Sequence, residues 1–148
     1  MSKWRWPMKT ALFKALAEDA IANSGGTYII RTLPYEYAAV AGAVEYRAET
    51  VRQGFAVGVV SGPIISDAEL QEPSCYTLGG LLKAWHGKYK DELTPQRALG
   101  LWYHEGFWHI DIVEIMNDRS LAIERAVRRG ELAIYDLSKG EEIKVKDN

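Results

Sequence analysis

Apolar and polar residues alternate along residues 98–116, and this alternation is the clearest pattern in the chain. A period of two predicts β-strands, because successive side chains of a strand point to opposite faces of a sheet. Glu105 and Gly106 interrupt the pattern and can form a two-residue turn, since glycine tolerates the positive φ that hairpin turns require. We therefore predict a β-hairpin in which Trp102 is paired with His109.

The predicted hairpin has two chemically different faces. One face is apolar and should belong to the core; it carries Leu99, Leu101, Tyr103, Trp108, Ile110 and Ile112. The other face, which we call the polar-aromatic face, carries Gly100, Trp102, His104, Phe107, His109 and Asp111. It combines aromatic, imidazole and carboxylate groups, and it is the best candidate for a functional site in the sequence.

The remaining pattern predicts helices and strands around this hairpin. Helical spacing of apolar residues predicts helices over residues 8–22, 37–53, 77–92 and from 117 or 118 to 129. Apolar or β-branched runs predict strands over residues 27–32, 55–60, 132–137 and 141–145, the last of them at a sheet edge. Residues 61–73 contain two prolines and several turn formers, so they are predicted to be a long loop.

These elements predict a single α+β domain over residues 1–148. Adjacent strands mixed with helices favour a mainly antiparallel sheet of about five strands with helices packed on one face. Residues 1–7 are predicted to form an N-terminal arm and residues 146–148 a frayed tail. Trp4 and Trp6 in the arm suggest packing against the domain or against a neighbouring subunit, so we expect a homo-oligomer.

Composition narrows the class of protein. A net charge of −2 argues against bulk binding to nucleic acid or to an anionic membrane surface. The single cysteine, Cys75, excludes an intrachain disulfide and fits a reducing compartment. No apolar run reaches the ~20 residues that span a bilayer, and no apolar segment follows the charged N-terminus as it would in a secretory signal. We therefore expect a cytoplasmic protein.

The polar-aromatic face also suggests chemistry. His104, His109 and Asp111 are possible metal ligands, but metal sites generally need three or more ligands and no other spacing supports these three. We therefore predict no metal and no cofactor. His109 oriented by Asp111 could act as a general base, which makes these two the candidate catalytic residues. Because neither serine nor cysteine is near them in sequence, the balance favours a protein without catalytic activity.

Three further features have both a structural and a functional interpretation. Cys75 precedes a predicted helix, whose N-terminus could lower the pKa of the thiol, although a partly buried inert thiol is commoner. Backbone N–H groups of residues 77–80 could form a cradle for an anion. The last helix is basic; it carries Arg119, Arg125, Arg128 and Arg129. These arginines could bind phosphate beside a base stacked on Trp102 or Tyr135, or they could simply favour the helix dipole.

Residues 118–143 read DRSLAIERAVRRGELAIYDLSKGEEI. A predicted hairpin precedes a helix that begins with Asp-Arg, and a basic Arg-Gly end, an AIYDL strand and a Gly-x-Glu-Ile turn follow. This ending resembles that of small proteins from bacteriophages and actinobacterial mobile elements. The resemblance covers roughly the last third of the chain and implies a phage or prophage accessory protein with a binding or inhibitory role. It carries no activity and no functional residue.

The sequence thus favours a non-enzymatic binding protein of a phage or mobile element. We expect it to engage a partner protein or a small nucleotide-like ligand through the polar-aromatic face. The expected contacts are Trp102, His104, Phe107, His109 and Asp111. Two alternatives stay open: a small hydrolase that uses His109 and Asp111 with or without a divalent ion, and a structural or assembly protein that buries this face between subunits.

Overall fold

The computed structural model describes residues 8–34, 44–71 and 73–145. The helices are Met8–Asn23 (α1), Asp67–Leu70 (α2), Cys75–Tyr89 (α3) and Arg119–Arg128 (α4), with a 3-10 turn at Lys90–Glu92. The strands are Gly25–Pro34 (β1), Val44–Thr50 (β2), Phe55–Ser66 (β3), Arg97–His104 (β4), Phe107–Met116 (β5), Ala133–Asp136 (β6) and Glu141–Lys144 (β7). Within these ranges, no helix is long and apolar enough to cross a membrane.

The seven strands form one antiparallel sheet in the order β2-β1-β4-β5-β3-β6-β7. The predicted α+β class of a single domain is confirmed, whereas the sheet has seven strands rather than about five. The short charged strand β7 lies at the end of the sheet, as its composition predicted. The β4–β5 hairpin is central, because β1 and β3 flank it.

The hairpin has the predicted register. Trp102 is paired with His109, and Glu105 and Gly106 form the turn with φ values of 48° and 84°. Positive φ at both turn residues is typical of the two-residue turns whose twist matches that of the strands. The apolar side of the hairpin is buried or partly buried against α1 and α3, as predicted; its members are Leu99, Leu101, Tyr103, Trp108, Ile110 and Ile112.

The long helices lie on one face of the sheet. Ile110 and Ile112 of β5 pack into the core that α1 and α3 complete. Glu114 points to the same side of β5, because side chains alternate along a strand, and it is bound by Arg125 of α4. No helix of the described residues therefore covers the opposite face, which includes the polar-aromatic face.

The predicted helix over residues 37–53 is wrong from residue 44 onward, where the chain forms β2. Strand β2 is paired with β1 from Tyr28 to Pro34, opposite Thr50 to Val44. The spacing of three and four that suggested a helix coincides here with an alternation of apolar and polar residues, and pairing with β1 decides between the two. Residues 37–43 lie outside the described residues, as do the predicted arm (residues 1–7, with Trp4 and Trp6) and the predicted tail (residues 146–148).

The predicted loop over residues 61–73 is wrong over residues 61–70. Strand β3 continues to Ser66, and α2 begins directly after it. Two irregularities in the pairing of β3 with β5, between Gly58 and Val60 and between Ser61 and Ile64, allow the strand to include a proline at position 63. Ser66 then caps α2 by accepting a hydrogen bond from the Glu69 N–H at 3.1 Å.

Helix α4 is partly as predicted. Asp118 is its N-cap and accepts a hydrogen bond from the Leu121 N–H at 3.0 Å. Ala122 and Ala126 are buried, whereas Leu121 and Val127 are more than half exposed. The two alanines and the partly buried Ile123 pack against the sheet. The small size of the alanines lets the helix approach closely, and Arg125 and Arg129 reach Glu114 of β5.

Candidate functional site

The polar-aromatic face forms the distal part of the uncovered sheet face. Trp102 of β4, His109 of β5 and Ile64 of β3 lie in one row across three strands. Phe107 lies in the next row toward the hairpin turn, opposite His104. Large apolar side chains here are strongly exposed, with exposed fractions of 57% for Ile64, 45% for Trp102 and 46% for Phe107.

Trp102 is the centre of this face. Its indole stacks on the imidazole of His109, with ring centroids 4.4 Å apart and an angle of 17° between the planes. The ring of His104 has its centroid 5.4 Å from that of the indole and is tilted by 38° to it. The Nε2 atom of His104 is in turn 3.6 Å from a carboxylate oxygen of Glu105. A planar ligand could enter between Trp102 and His109 only by breaking their stack.

Asp111 lies two residues from His109 on the same face of β5. Its Oδ1 atom accepts a hydrogen bond from the Gly62 N–H at 3.0 Å. Burial raises the pKa of this carboxyl group, and the Gly62 N–H and the nearby His109 partly oppose the rise. Position 62 requires glycine, because a Cβ atom there would lie 2.0 Å from the carbonyl oxygen of Ile110. Asp111 therefore has a structural partner in β3, which the sequence did not predict.

Metal ligands do not gather on this face. Within the described ranges, no three His, Cys, Asp or Glu residues come together as a metal-binding group. Two cavities of about 370 Å³ each lie near β1, and neither is lined by a residue of the polar-aromatic face. The site candidate is an exposed sheet surface, because Ile64, Trp102 and Phe107 are each about half exposed.

The predicted anion cradle at residues 77–80 is wrong. Helix α3 begins at Cys75, two residues earlier than predicted, and Ser74 is its N-cap. The N–H groups of Tyr76 and Thr77 donate to the Ser74 hydroxyl oxygen, both at 3.2 Å, and the Leu78 N–H donates to the Ser74 carbonyl at 3.0 Å. These donors are already satisfied, so they are not available to an anion. Cys75 is half-buried in the first turn.

Arg125 of α4 and Arg129, the C-cap residue that follows the helix, hold the helix to the sheet. Arg125 and Arg129 both bind Glu114, with N–O distances of 3.0 and 2.7 Å. Burial alone would raise the pKa of Glu114, but the hydrogen bonds and charges of Arg129 and Arg125 outweigh it, so the pKa is lowered. Arg128 is paired with Glu124 at 2.7 Å. A phosphate site that combines these arginines with Trp102 is not formed, because α4 and Trp102 lie on opposite faces of the sheet.

One buried polar residue, His86, was not predicted from the sequence. Only 2% of its surface is exposed, and its Nδ1 atom has no hydrogen-bond partner. Its ring lies between Phe13 and Tyr46, with centroid distances of 5.2 and 5.7 Å. The only sequence signal is its position one residue after Trp85, on the buried side of α3.

The chain was also compared with known proteins. No protein-family model, no curated protein and no solved structure matches it. The case for a function therefore depends on the residues described above, chiefly on the exposed aromatic side chains of the polar-aromatic face.

Proposed function

We propose that the chain is a non-enzymatic binding protein that docks a partner protein on the polar-aromatic face. The observation that carries this proposal is the group of three large, strongly exposed apolar side chains, Ile64, Trp102 and Phe107, on a sheet face without a covering helix. Contiguous exposed apolar surface rimmed by polar groups is typical of protein interaction sites. Tryptophan at the centre of such a patch is the residue type most often responsible for binding energy.

The charges on the hairpin favour a protein over a nucleotide-like ligand. The uncovered face of β4 and β5 has neither lysine nor arginine; it carries Ala98, Gly100, Trp102, His104, Phe107, His109, Asp111, Val113 and Ile115. A phosphate group needs cationic or N–H partners, and small ligands bind in concave sites. The surface is instead apolar, open and close to neutral, so it suits a partner protein that presents an apolar, uncharged surface of its own.

The exposed part of the face lies near the hairpin turn, where Ile64, Trp102 and Phe107 are about half exposed, whereas Ala98 at the other end of β4 is buried. A partner would therefore contact the end of the sheet that carries the three exposed apolar side chains. The resemblance of the C-terminal third to proteins of phages and mobile elements supports a role as an accessory protein that binds or inhibits a larger machinery.

The test compares two double variants that remove similar apolar surface. Trp102→Ala with Phe107→Ala alters the polar-aromatic face, whereas Leu121→Ala with Val127→Ala alters exposed side chains of α4. A partner is captured from a lysate of the native host, identified by mass spectrometry and purified, and its Kd is measured by calorimetry. We expect the first double variant to weaken binding by about 100-fold, since two central aromatic contacts are lost, and the second to change it by less than about twofold.

Two results would overturn the proposal. Equal affinity of the two double variants would place the interface elsewhere. Sedimentation velocity on the purified protein gives the second result: a dimer that becomes monomeric when Trp102 and Phe107 are replaced would show that a second copy covers the face, as in the assembly alternative.

A further inference from the structure

The sheet opens beside β1, far from the polar-aromatic face. Strand β1 is paired with β4 only from Gly25 to Tyr28 and continues with β2 alone as far as Pro34. The chain that leads from α3 into β4 lies opposite the free side of β1. A cavity of about 370 Å³ occupies this opening; among the described residues that line it are Ile30, Arg31, His86, Lys90 and Leu93.

Positive charge gathers around this cavity. Burial lowers the pKa of Lys9, and the charges of Lys90 and Lys83 lower it further. Burial likewise lowers the pKa of His86 to about 4, and Lys9 and Lys90 add to the shift. No carboxylate contributes to the lowered pKa of either Lys9 or His86. The guanidinium of Arg31 is paired with Glu49 at 3.5 Å, and because both side chains are more than half exposed, this pair is weak.

His86 contributes its ring to the cavity wall. The ring contacts those of Phe13 and Tyr46, and within the described residues its buried Nδ1 atom has no hydrogen-bond partner. Because that atom is sealed from solvent, it lies behind the wall, and Arg31 and Lys90 are the charged groups that a ligand can reach. The other part of the wall is apolar, since Ile29, Ile30, Leu93 and Pro95 contribute to it.

We propose that this cavity binds a small organic anion. Its charged group lies toward Arg31 and Lys90, and its apolar body lies against Ile30 and Leu93. The volume falls within the range of small-molecule sites, which are mostly apolar with a few well-placed polar groups. The proposal does not depend on the docking function, because the cavity and the polar-aromatic face share no residue.

The three histidines of the chain provide a selective test. His86 lies at the cavity, whereas His104 and His109 lie on the polar-aromatic face. Imidazole resonances are followed by NMR while three probes are added separately: phenyl phosphate, inorganic phosphate and benzyl alcohol. We expect phenyl phosphate to shift the His86 signals in a saturable way, inorganic phosphate to bind about tenfold more weakly, and the neutral alcohol to have no effect.

Variants of exposed cations then assign the binding to the cavity. Lys90→Gln and Arg31→Gln should each weaken the binding of phenyl phosphate by about tenfold, whereas Lys139→Gln, in the turn before β7, should leave it unchanged. Thermal unfolding checks that each variant is folded. The proposal is overturned if His86 does not respond, if His104 and His109 shift in its place, or if both cavity variants bind as tightly as the native chain.

Discussion

The indole of Trp102 lies almost parallel to the imidazole of His109, 4.4 Å away, across the central strand pair of the sheet. Cross-strand aromatic pairs contribute about 0.2–1 kcal/mol to stability. We therefore predict that Trp102→Ala and His109→Ala are each mildly destabilising and that a double-mutant cycle yields a coupling of about 0.5 kcal/mol. Urea denaturation of the four proteins measures it.

Tyr135 provides the control for this cycle, because it lies on the same sheet face but on β6, away from Trp102. Trp102→Ala and Tyr135→Ala should be additive within about 0.3 kcal/mol, as expected for residues that share no contact. Additive effects in the Trp102 and His109 cycle as well would contradict the stacked arrangement.

Glu114 joins α4 to the sheet through two arginines. We predict that Glu114→Gln lowers the free energy of unfolding by about 1–2 kcal/mol at neutral pH, because Arg125 and Arg129 lose a partly buried anionic partner. Glu124→Gln is the matched control: it removes an exposed pair four residues apart on the helix and should cost at most about 0.5 kcal/mol. Chemical denaturation measures both.

The contribution of Glu114 to the free energy of unfolding should depend on pH. Since the pKa of Glu114 is lower in the folded chain than in the unfolded chain, its contribution is present above the ordinary carboxyl pKa and is lost as the pH falls through the lower, folded value. The difference in stability between the native chain and Glu114→Gln should therefore shrink in acid. A difference that stays constant down to the acid limit would show that the lost packing, and not the charge, causes the effect.

Two neighbouring glycines of α3 should respond in opposite directions to alanine. A Cβ atom at Gly79 would lie 3.1 Å from the Phe13 carbonyl oxygen and from the Lys14 Cα atom, both in the backbone of α1. A Cβ atom at Gly80 would have no neighbour within 4 Å. Gly80→Ala should therefore stabilise the chain by about 0.5–1 kcal/mol through helix propensity, whereas Gly79→Ala should destabilise it by about 1 kcal/mol through overpacking.

Thermal unfolding of the two variants distinguishes these effects. Stabilisation by both substitutions would mean that α1 and α3 can separate without loss. That result would contradict the close approach of the two helices at Gly79.

The hairpin could be predicted from the sequence because its information is local. Alternation over residues 98–116 and one glycine at the turn determine both the register and the two faces, and the stacked position of Trp102 and His109 follows directly. Strand β2 could not be predicted in this way. Its apolar residues fit both the helical spacing of three and four and the alternation of a strand. Pairing with β1, an interaction between segments that are not neighbours in that pattern, determines that they form a strand.

The partners of the candidate residues show the same limit. Asp111 accepts a hydrogen bond from the N–H of Gly62, which lies 49 residues earlier in the chain. Glu114 accepts hydrogen bonds from Arg125 and Arg129, at and just after the following helix. Neither contact can be predicted from the spacing of the residues around Asp111 and Glu114 in the sequence. His86 is the extreme example, since a histidine beside Trp85 on an amphipathic helix gives no indication that Phe13 of α1 and Tyr46 of β2 will contact its ring.

His86 should make the folded chain sensitive to mild acid. Its pKa falls from 6.5 to about 4 on folding, so the unfolded chain binds an additional proton between these values and stability declines as the pH falls through this window. The shift corresponds to a loss of roughly 3 kcal/mol, which should be complete near the folded pKa. The variant His86→Leu keeps an apolar contact with Phe13 but has no imidazole to protonate. The loss of stability that His86 causes in acid should therefore disappear, whereas the loss caused by protonation of carboxylates should remain. Unfolding free energies measured from neutral pH to about pH 4 test it, and parallel curves for the two proteins would show that the pKa of His86 is the same in the folded and the unfolded chain.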